Sequence, residues 1–471
     1  MNVLFIIFKP EMKKLYLNHS IVLLGLGCIG KAIIPLLDRH FEYEKSKFYI
    51  IDPDDRNTFV LREYGLTNFI KIALTKENYT ETLTKYLEPG GFCINLTVDV
   101  SSSDVMSLCR QKGVFYIDTS NEPWPGFYND PTKDRTNYTL REQVMKLKRE
   151  QSPNSITSVS CCGANPGMIS WLLKEALLVL SVDCGMKPTK EPSSRKEWAE
   201  FMQKLGVRGI HVAERDTQRA NIEKDIDQFV NTWSVTGFIY EASQPAELGW
   251  GTHETWKPPA SGQHEGTIYL NRPGGNTRVL TWTPVNGSQY GYLVTHNESI
   301  SISDYFSVKN TDGVVVYRPT VHYAYSPCNQ AILSLNEFFG QAEKKQTKEH
   351  ILEANEIRDG MDELGVLIFR DETKRAFWYG SRLSIEQTRR LIPHQNATAL
   401  QVSSAIVAAM HWMLKNPDKG IVEADEMDHK FCLGFQKRYL GDIYGVYTEW
   451  KPQKKEMSND AWDFRNVLVD F

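Results

Sequence analysis

Residues 21 to 52 constrain the fold more than any other stretch of the chain. Ile21-Val22-Leu23-Leu24 is an apolar run, Gly25-Leu26-Gly27-Cys28-Ile29-Gly30 follows at once, and Lys31 to His40 has helical character. A second apolar run, Phe48-Tyr49-Ile50-Ile51, ends in Asp52, 22 residues after Gly30. Strand, Gly-x-Gly-x-x-Gly turn, helix, strand and acid is the order of a dinucleotide-binding unit. Gly25 allows the tight turn, Gly27 lets the backbone approach a pyrophosphate, and Gly30 lets the helix pack closely on the strand. Free N–H groups and a partial positive charge at the helix start suit phosphates. Asp52 is placed to accept bonds from ribose hydroxyls. Asp54 and Asp55, behind Pro53, add negative charge that repels a 2′-phosphate, which favours NAD over NADP. The six residues alone also fit a glycine-rich turn of purely structural purpose; the flanking strands, helix and acid weigh against that reading.

The alternation continues downstream. Strands are expected at Asn68 to Ala73, Phe92 to Leu96, Val114 to Asp118 and Ile156 to Ser160, and helices at Tyr79 to Leu87 and Asp104 to Lys112. Serines 101 to 103 offer caps for the latter. This is the pattern of an α/β unit with a doubly wound parallel (Rossmann) sheet, whose ligands sit beyond the carboxyl ends of the strands. Three stretches therefore converge on the cofactor: Asn95 to Asp99, Asp118 to Pro123 and Gly163 to Gly167. Cofactor-binding candidates are Gly25, Gly27, Cys28, Ile29, Gly30, Asp52, Asn95, Thr97, Thr119 and Ala164. Asn165 reads as an N-cap and Pro166 as the first residue of a helix whose body is Ile169 to Leu180. Asn165 also stands at the sheet edge, where its amide can meet a substrate.

Beyond Val182 the rhythm changes. Pro and Gly become frequent, and β-like runs appear at Thr232 to Glu241, Gly266 to Asn271, Arg278 to Pro284, Gln289 to Thr295 and Gly313 to His322. This predicts a second, α+β domain with a largely antiparallel sheet. Helices are expected at Pro327 to Phe339, Ile351 to Gly360 and, apolar and buried, Ala397 to Leu414. A chain of 471 residues exceeds one compact core and suits about two domains. We divide it into a cofactor domain (12–165), a substrate and dimerisation domain (166–384) and a C-terminal segment of helix and turn (385–471) packing back on the first.

Composition excludes several classes. A net charge of -4 without basic excess argues against nucleic acid. The 8 cysteines contain no C-x-x-C pair, so neither a metal site nor a disulfide framework is expected, and a reducing cytoplasm is. The apolar start, Met1 to Phe8, is too short and lacks the basic flank and cleavage site of a signal peptide; Met12 is an alternative start. No stretch is read as a membrane span.

The candidates for chemistry lie mostly in the second domain. Trp233 and Glu241 flank one β-like run and share strand parity, as do His296 and Glu298 at the end of another. Glu214 ends the apolar segment His211-Val212-Ala213, and Glu122 follows the strand to Asp118. Asp359, Asp362 and Glu363 add acids that also fit a charged helix face. Each taken alone has a plain reading as core tryptophan, solvated acid or structural histidine.

Four runs together resemble one family. Ser160-Cys161-Cys162-Gly163-Ala164-Asn165-Pro166-Gly167-Met168, Asn231-Thr232-Trp233-Ser234-Val235-Thr236-Gly237, Pro245-Ala246-Glu247-Leu248-Gly249-Trp250-Gly251-Thr252-His253-Glu254 and Leu293-Val294-Thr295-His296-Asn297-Glu298-Ser299-Ile300-Ser301 look like bacterial-type homospermidine synthases, relatives of the saccharopine dehydrogenases. The resemblance implies a homodimer with tightly held NAD that makes homospermidine and ammonia from two putrescines without net redox change. It places the family's cation-holding tryptophan on Trp233 and its amine ligands on Glu122, Asn165, Glu214, Glu241, Glu298 and Asp362, with His296 in the catalytic pocket. Glu241 and His296 share candidacy as proton carrier. A saccharopine- or carboxyspermidine-type dehydrogenase is the alternative; its carboxylated substrates call for arginines in the pocket.

Overall fold

Two sheets, one parallel and one mixed, face each other across a deep cavity. In the computed structural model the described residues are 13–128, 130, 132–370, 375–452 and 461–469. The segment containing Met1 to Phe8 and the alternative start at Met12 lies outside them.

The first sheet has seven strands, in the order Asn68–Ile70, Phe48–Ile51, Ile21–Leu24, Phe92–Asn95, Phe115–Asp118, Ser158–Ser160 and Ile421–Glu423. Every pairing is parallel. Its central strand, Ile21–Leu24, is buried on both faces, which is why it reads as an unbroken apolar run. The chain leaves this strand toward Phe48–Ile51 and returns on its other side at Phe92–Asn95. A crevice opens where the order reverses, beyond the strand ends. Gly25 sits there with φ +90, and a Cβ on Gly30 would lie 2.1 Å from the Gly25 carbonyl oxygen. Only glycine lets the helix Cys28–His40 start this close to the turn.

The second sheet has ten strands. Its centre is Val207–Asp216, parallel to Thr320–Ser326 on one side and antiparallel to Met361–Arg370 on the other. The remaining pairings are antiparallel.

The C-terminal part divides between the sheets. Helix Ala397–Lys415 packs on Cys28–His40, and strand Ile421–Glu423 closes the first sheet. Strand Asp442–Thr448, where helix and turn are expected, instead adds to the second sheet beside Ala376–Ser384. Helix Ala397–Lys415 has the length and mean hydropathy (1.3) of a membrane span, contrary to the expectation that no stretch does, yet 89% of its apolar window is buried inside the protein. Its polar residues have protein partners: Ser403 Oγ donates to Ala399 O, and Gln401 Nε2 to Ser381 Oγ. It is a core helix.

Three local expectations are overturned. The first is the β-like run Thr232 to Glu241, which lies after the end of strand Gln228–Asn231 and enters helix Val235–Ser243. Ser234 caps the helix by accepting from Gly237 N at 3.0 Å, and Val235, Phe238, Ile239 and Ala242 form a buried face at helical spacing. The β-branched and aromatic composition masked that period. The second is Ile351 to Gly360, expected as helix. It leaves strand Lys348–Ile351 for a turn, then enters strands Ile357–Asp359 and Met361–Arg370. Pairing of Ile351 with Asn231, and of Ile357 and Asp359 with Arg219–Ala220, outweighs its helical composition. The third is the helix start at Pro166. The Asn165–Pro166 peptide is cis, and the helix runs Met168–Asp183 with Gly167 before it at φ +127.

Candidate active site

A cavity of about 390 Å³ lies between the sheets, within the range of small-molecule sites. One end is the glycine turn. Gly25, Gly27, Cys28, Ile29, Asp52, Thr97, Thr119 and Ala164 line it. An added Cβ on Gly27 would meet nothing within 4 Å, so this stretch of backbone is open to a ligand. Asp52 is anchored: its carboxylate accepts from Leu26 N and, at 2.6 Å, from Asp54 N. Two cofactor candidates stand behind the wall. Gly30 packs under Gly25. Asn95 accepts from Thr97 Oγ1 at 2.6 Å and donates to Tyr116 Oη at 3.1 Å, so it shapes the turn that carries Thr97.

The other end is acidic and aromatic. Glu122, Asn165, Glu214, Trp233, Glu241, His296 and Asp362 line it, drawn from both domains. No Lys or Arg is among the lining residues. The helix Val235–Ser243 turns its apolar face to the core and presents Gly237, Glu241 and Gln244 to the cavity, at i, i+4 and i+7. Trp233 precedes its cap. The Trp233 indole N–H donates to Tyr325 Oη at 3.1 Å, and its ring lies 5.5 Å from Phe238.

His296 stands at the start of helix Asn297–Tyr305. Its Nε2 lies 3.0 Å from Glu241 Oε2 and its Nδ1 3.2 Å from Glu298 Oε1. Burial opposes the charged ring, but the carboxylates of Glu298 and Glu241 outweigh it and hold the imidazole well above its usual range. Glu298 is fully buried beneath the histidine rather than on the wall. It accepts from Asn165 Nδ2 at 3.4 Å, and its second oxygen has no hydrogen-bond partner among the described residues. The Tyr323 ring covers His296 at 4.2 Å.

A second group of acids lies on the central strands. Tyr323 Oη donates to Glu214 Oε2 at 2.6 Å, and Thr398 Oγ1 donates to Asp362 Oδ2. Asp216 accepts from Thr232 Oγ1 at 2.7 Å. Burial raises all three, and repulsion from acidic neighbours adds to the rise at Glu214 and Asp362: Glu214 goes to about 8, Asp216 above its usual range and Asp362 well above it. Across the cavity, burial pushes Glu122 up to about 8, with Glu241 and Asp99 adding to the shift. Its Oε2 is buried without a partner. At the surrounding rim Asp99 accepts from Tyr240 Oη at 3.1 Å, and the Tyr240 ring lies 4.8 Å from that of Tyr128.

Sequence reasoning missed Tyr323, Tyr325, Asp216, Tyr128, Gln244 and the pair Thr398 and Gln401. A signal existed for some of them. Thr398 and Gln401 are polar residues three apart in the first turn and a half of a mostly apolar helix, and Tyr323 and Tyr325 alternate along one strand. By contrast, the shared strand parity invoked for Trp233 with Glu241, and for His296 with Glu298, does not apply. Trp233 precedes and Glu241 lies within the helix Val235–Ser243, and His296 and Glu298 stand at the start of the helix Asn297–Tyr305. Asp359, a neighbour of Asp362 in sequence, faces outward to Arg219 and Arg358.

Two known domain families match the chain. Residues 21–159 match the saccharopine dehydrogenase NADP binding domain and residues 163–442 the saccharopine dehydrogenase C-terminal domain. A homospermidine synthase of Blastochloris viridis is 52% identical over 471 residues, which span 96% of this chain and 98% of the relative. One of Mesorhizobium japonicum is 52% identical over 473 residues, 96% and 97% of the two chains. The crystal structure of a homospermidine synthase from Legionella pneumophila, in complex with NAD, superposes with a TM-score of 0.90 at 40% identity, covering 97% of this chain and 99% of that one.

Proposed function

We propose that this chain, which belongs to the homospermidine synthase family, transfers an aminobutyl group between two putrescines, forming homospermidine and ammonia around a resident NAD. The observation that carries the reading is the charge of the cavity. Carboxyl groups line the end remote from the glycine turn, a tryptophan stands among them, and among the described residues no Lys or Arg lines the cavity. A dication fits such a wall. A substrate bearing carboxylates does not, which weighs against a saccharopine- or carboxyspermidine-type dehydrogenase.

The open backbone at Gly27, the helix start at Cys28 and the carboxylate of Asp52 suit a dinucleotide. NAD, when bound, accepts a hydride from the amine-bearing carbon and returns it to the imine joining the two aminobutyl units. The chain's own residues do the rest. Glu214 and Asp362 hold one ammonium group, and Glu122 with Asn165 receives another. Trp233 offers its π face to the cation at the reacting carbon, a contact worth about 0.5–2 kcal/mol. That contact strengthens as iminium charge develops, so it favours the transition state over the bound amine. Glu241 takes the ammonium proton, while His296, which Glu298 keeps oriented and charged, stays hydrogen-bonded to Glu241 and positions it. A second copy of the chain as partner follows from the resemblance, and sedimentation measures it. All eight cysteines are free thiols, in keeping with a cytoplasmic enzyme.

The test is incubation with putrescine and a catalytic quantity of NAD, followed by product mass. Homospermidine without accumulated NADH is expected. Stoichiometric NADH consumption or formation would transfer the chain to the dehydrogenases.

A further inference from the structure

A cofactor that is reduced in one half-reaction and reoxidised in the next has to stay bound between them. The structure contains a contact suited to that need which the chemistry does not use. Lys31 follows Gly30 in the first turn of the cofactor-domain helix and is only 4% exposed. Its ammonium lies 2.6 Å from both carboxylate oxygens of Glu353. Glu353 belongs to the turn after strand Lys348–Ile351, so the pair joins the two domains. Neither residue lines the cavity, but their neighbours on both sides do: Gly27, Cys28 and Ile29 from the first domain, Ile351, Trp233 and Ser234 from the second.

The turn that carries Glu353 is fastened at its base. Asn396 Nδ2 donates to Leu352 O at 3.2 Å and to Thr232 O at 2.6 Å, while the adjacent Gln395 donates to Ala32 O in the cofactor helix. Arg389 Nε donates to Ala354 O at 3.1 Å. The residues flanking Glu353 are therefore held beside the start of the cofactor helix, and the ion pair closes the remaining gap at the glycine turn. No other ion pair to Lys31 or Glu353 is present among the described residues.

We propose that the Lys31–Glu353 ion pair is a latch that holds the second domain over the glycine turn and sets how slowly the dinucleotide leaves. Its role in turnover rests on the proposed function; its effect on dinucleotide release does not. Separating the domains at this point costs a buried lysine its counter-charge, so opening is slow while the pair is intact. Lys31→Met removes the buried charge and leaves Glu353, whose side chain is 43% exposed, to water. Glu353→Gln weakens the pair from its wetter end.

The experiment measures the rate at which bound NADH fluorescence is lost on dilution into excess unlabelled NAD, for wild type, K31M and E353Q. Thermal melts of the apo-proteins confirm folding. At least tenfold faster release is expected in both variants, with NADH appearing in solution during turnover on putrescine. Release within twofold of wild type from either folded variant overturns the latch. If K31M does not fold, E353Q decides alone. Failure of the wild type to make homospermidine would count against the proposed function and leave the release measurement valid.

Discussion

One end of the cavity is built from backbone and the other from side chains. At the glycine turn the determining features are a φ of +90 at Gly25, a helix that starts against it and an open strip at Gly27. Among the described residues the one carboxylate lining that end is Asp52. At the amine end the determining features are carboxyls: Glu122, Glu214, Glu241 and Asp362 on the wall, with Glu298 and Asp216 behind it. Burial makes several of them reluctant to ionise. The first end is ready for its ligand as it stands. The second is under electrostatic stress that a bound dication relieves. The two ends of one cavity thus rest on different physics, backbone shape at the glycine turn and buried carboxyl groups at the other end.

The comparison can be broken at several points. The largest effect is expected for Glu241→Gln, which keeps the size of the side chain but removes the proton acceptor beside His296. Turnover should fall on the order of 10²–10⁴-fold, while the NAD content of the purified protein stays that of wild type. An active variant with full turnover would remove Glu241 from the chemistry.

Trp233→Ala should lower kcat/KM for putrescine by about 2- to 30-fold, the equivalent of a single cation–π contact. Trp233→Phe should retain more of the activity. Equal rates for Ala and wild type would show that the ring only fills space beside Phe238 and Tyr325.

Gly27→Ala tests the opposite end. An alanine methyl meets nothing in the protein, so the melting temperature should not move, but NAD should bind about tenfold more weakly. Titration of apo-protein with NAD, followed by intrinsic fluorescence, reads this directly. Unchanged affinity would mean that the ligand does not approach the backbone there.

The smallest effect is a pH dependence. Folded Glu122 and Glu214 titrate near 8 because they are buried, whereas unfolded glutamate titrates at about 4.3. The folded state thus holds more protons between these limits, and its stability must fall as pH rises through the window. Apo-protein should melt a few degrees lower at pH 9 than at pH 6, and putrescine should shrink that difference by neutralising the carboxylates. The same ionisation predicts kcat/KM for putrescine rising through about pH 8. A melting temperature that rises with pH in the absence of amine would contradict the protonated pocket.

Much of this was legible in the residues themselves. The first sheet follows from apolar runs punctuated by Gly, Pro and Ser, because a strand buried on both faces has to be apolar at every position. The helix Ala397–Lys415 follows for the same reason. The middle of the chain is harder to read. Thr232 to Glu241 has strand composition and helical spacing, and the Ser234 cap settles it as helix. Residues 351–360 have helical composition and become turn and strand, because neighbouring strands offer backbone partners that a helix there would forgo.

The sequence by itself determined which residue types the site has to work with: a glycine turn followed by an acid, and a set of carboxylates, one tryptophan and one histidine matching the family motifs. Which of them meet depends on how the chain packs. His296 reaches Glu241 across 55 residues, and Glu214 comes beside Asp362 through strands far apart in the chain. Those contacts depend on sheet register and helix direction, which are set by the whole packed core. The latch between Lys31 and Glu353, 322 residues apart, could be seen nowhere else. Neither residue carries a motif, and a lysine after a glycine turn becomes informative only when it is found buried against a carboxylate from the other domain.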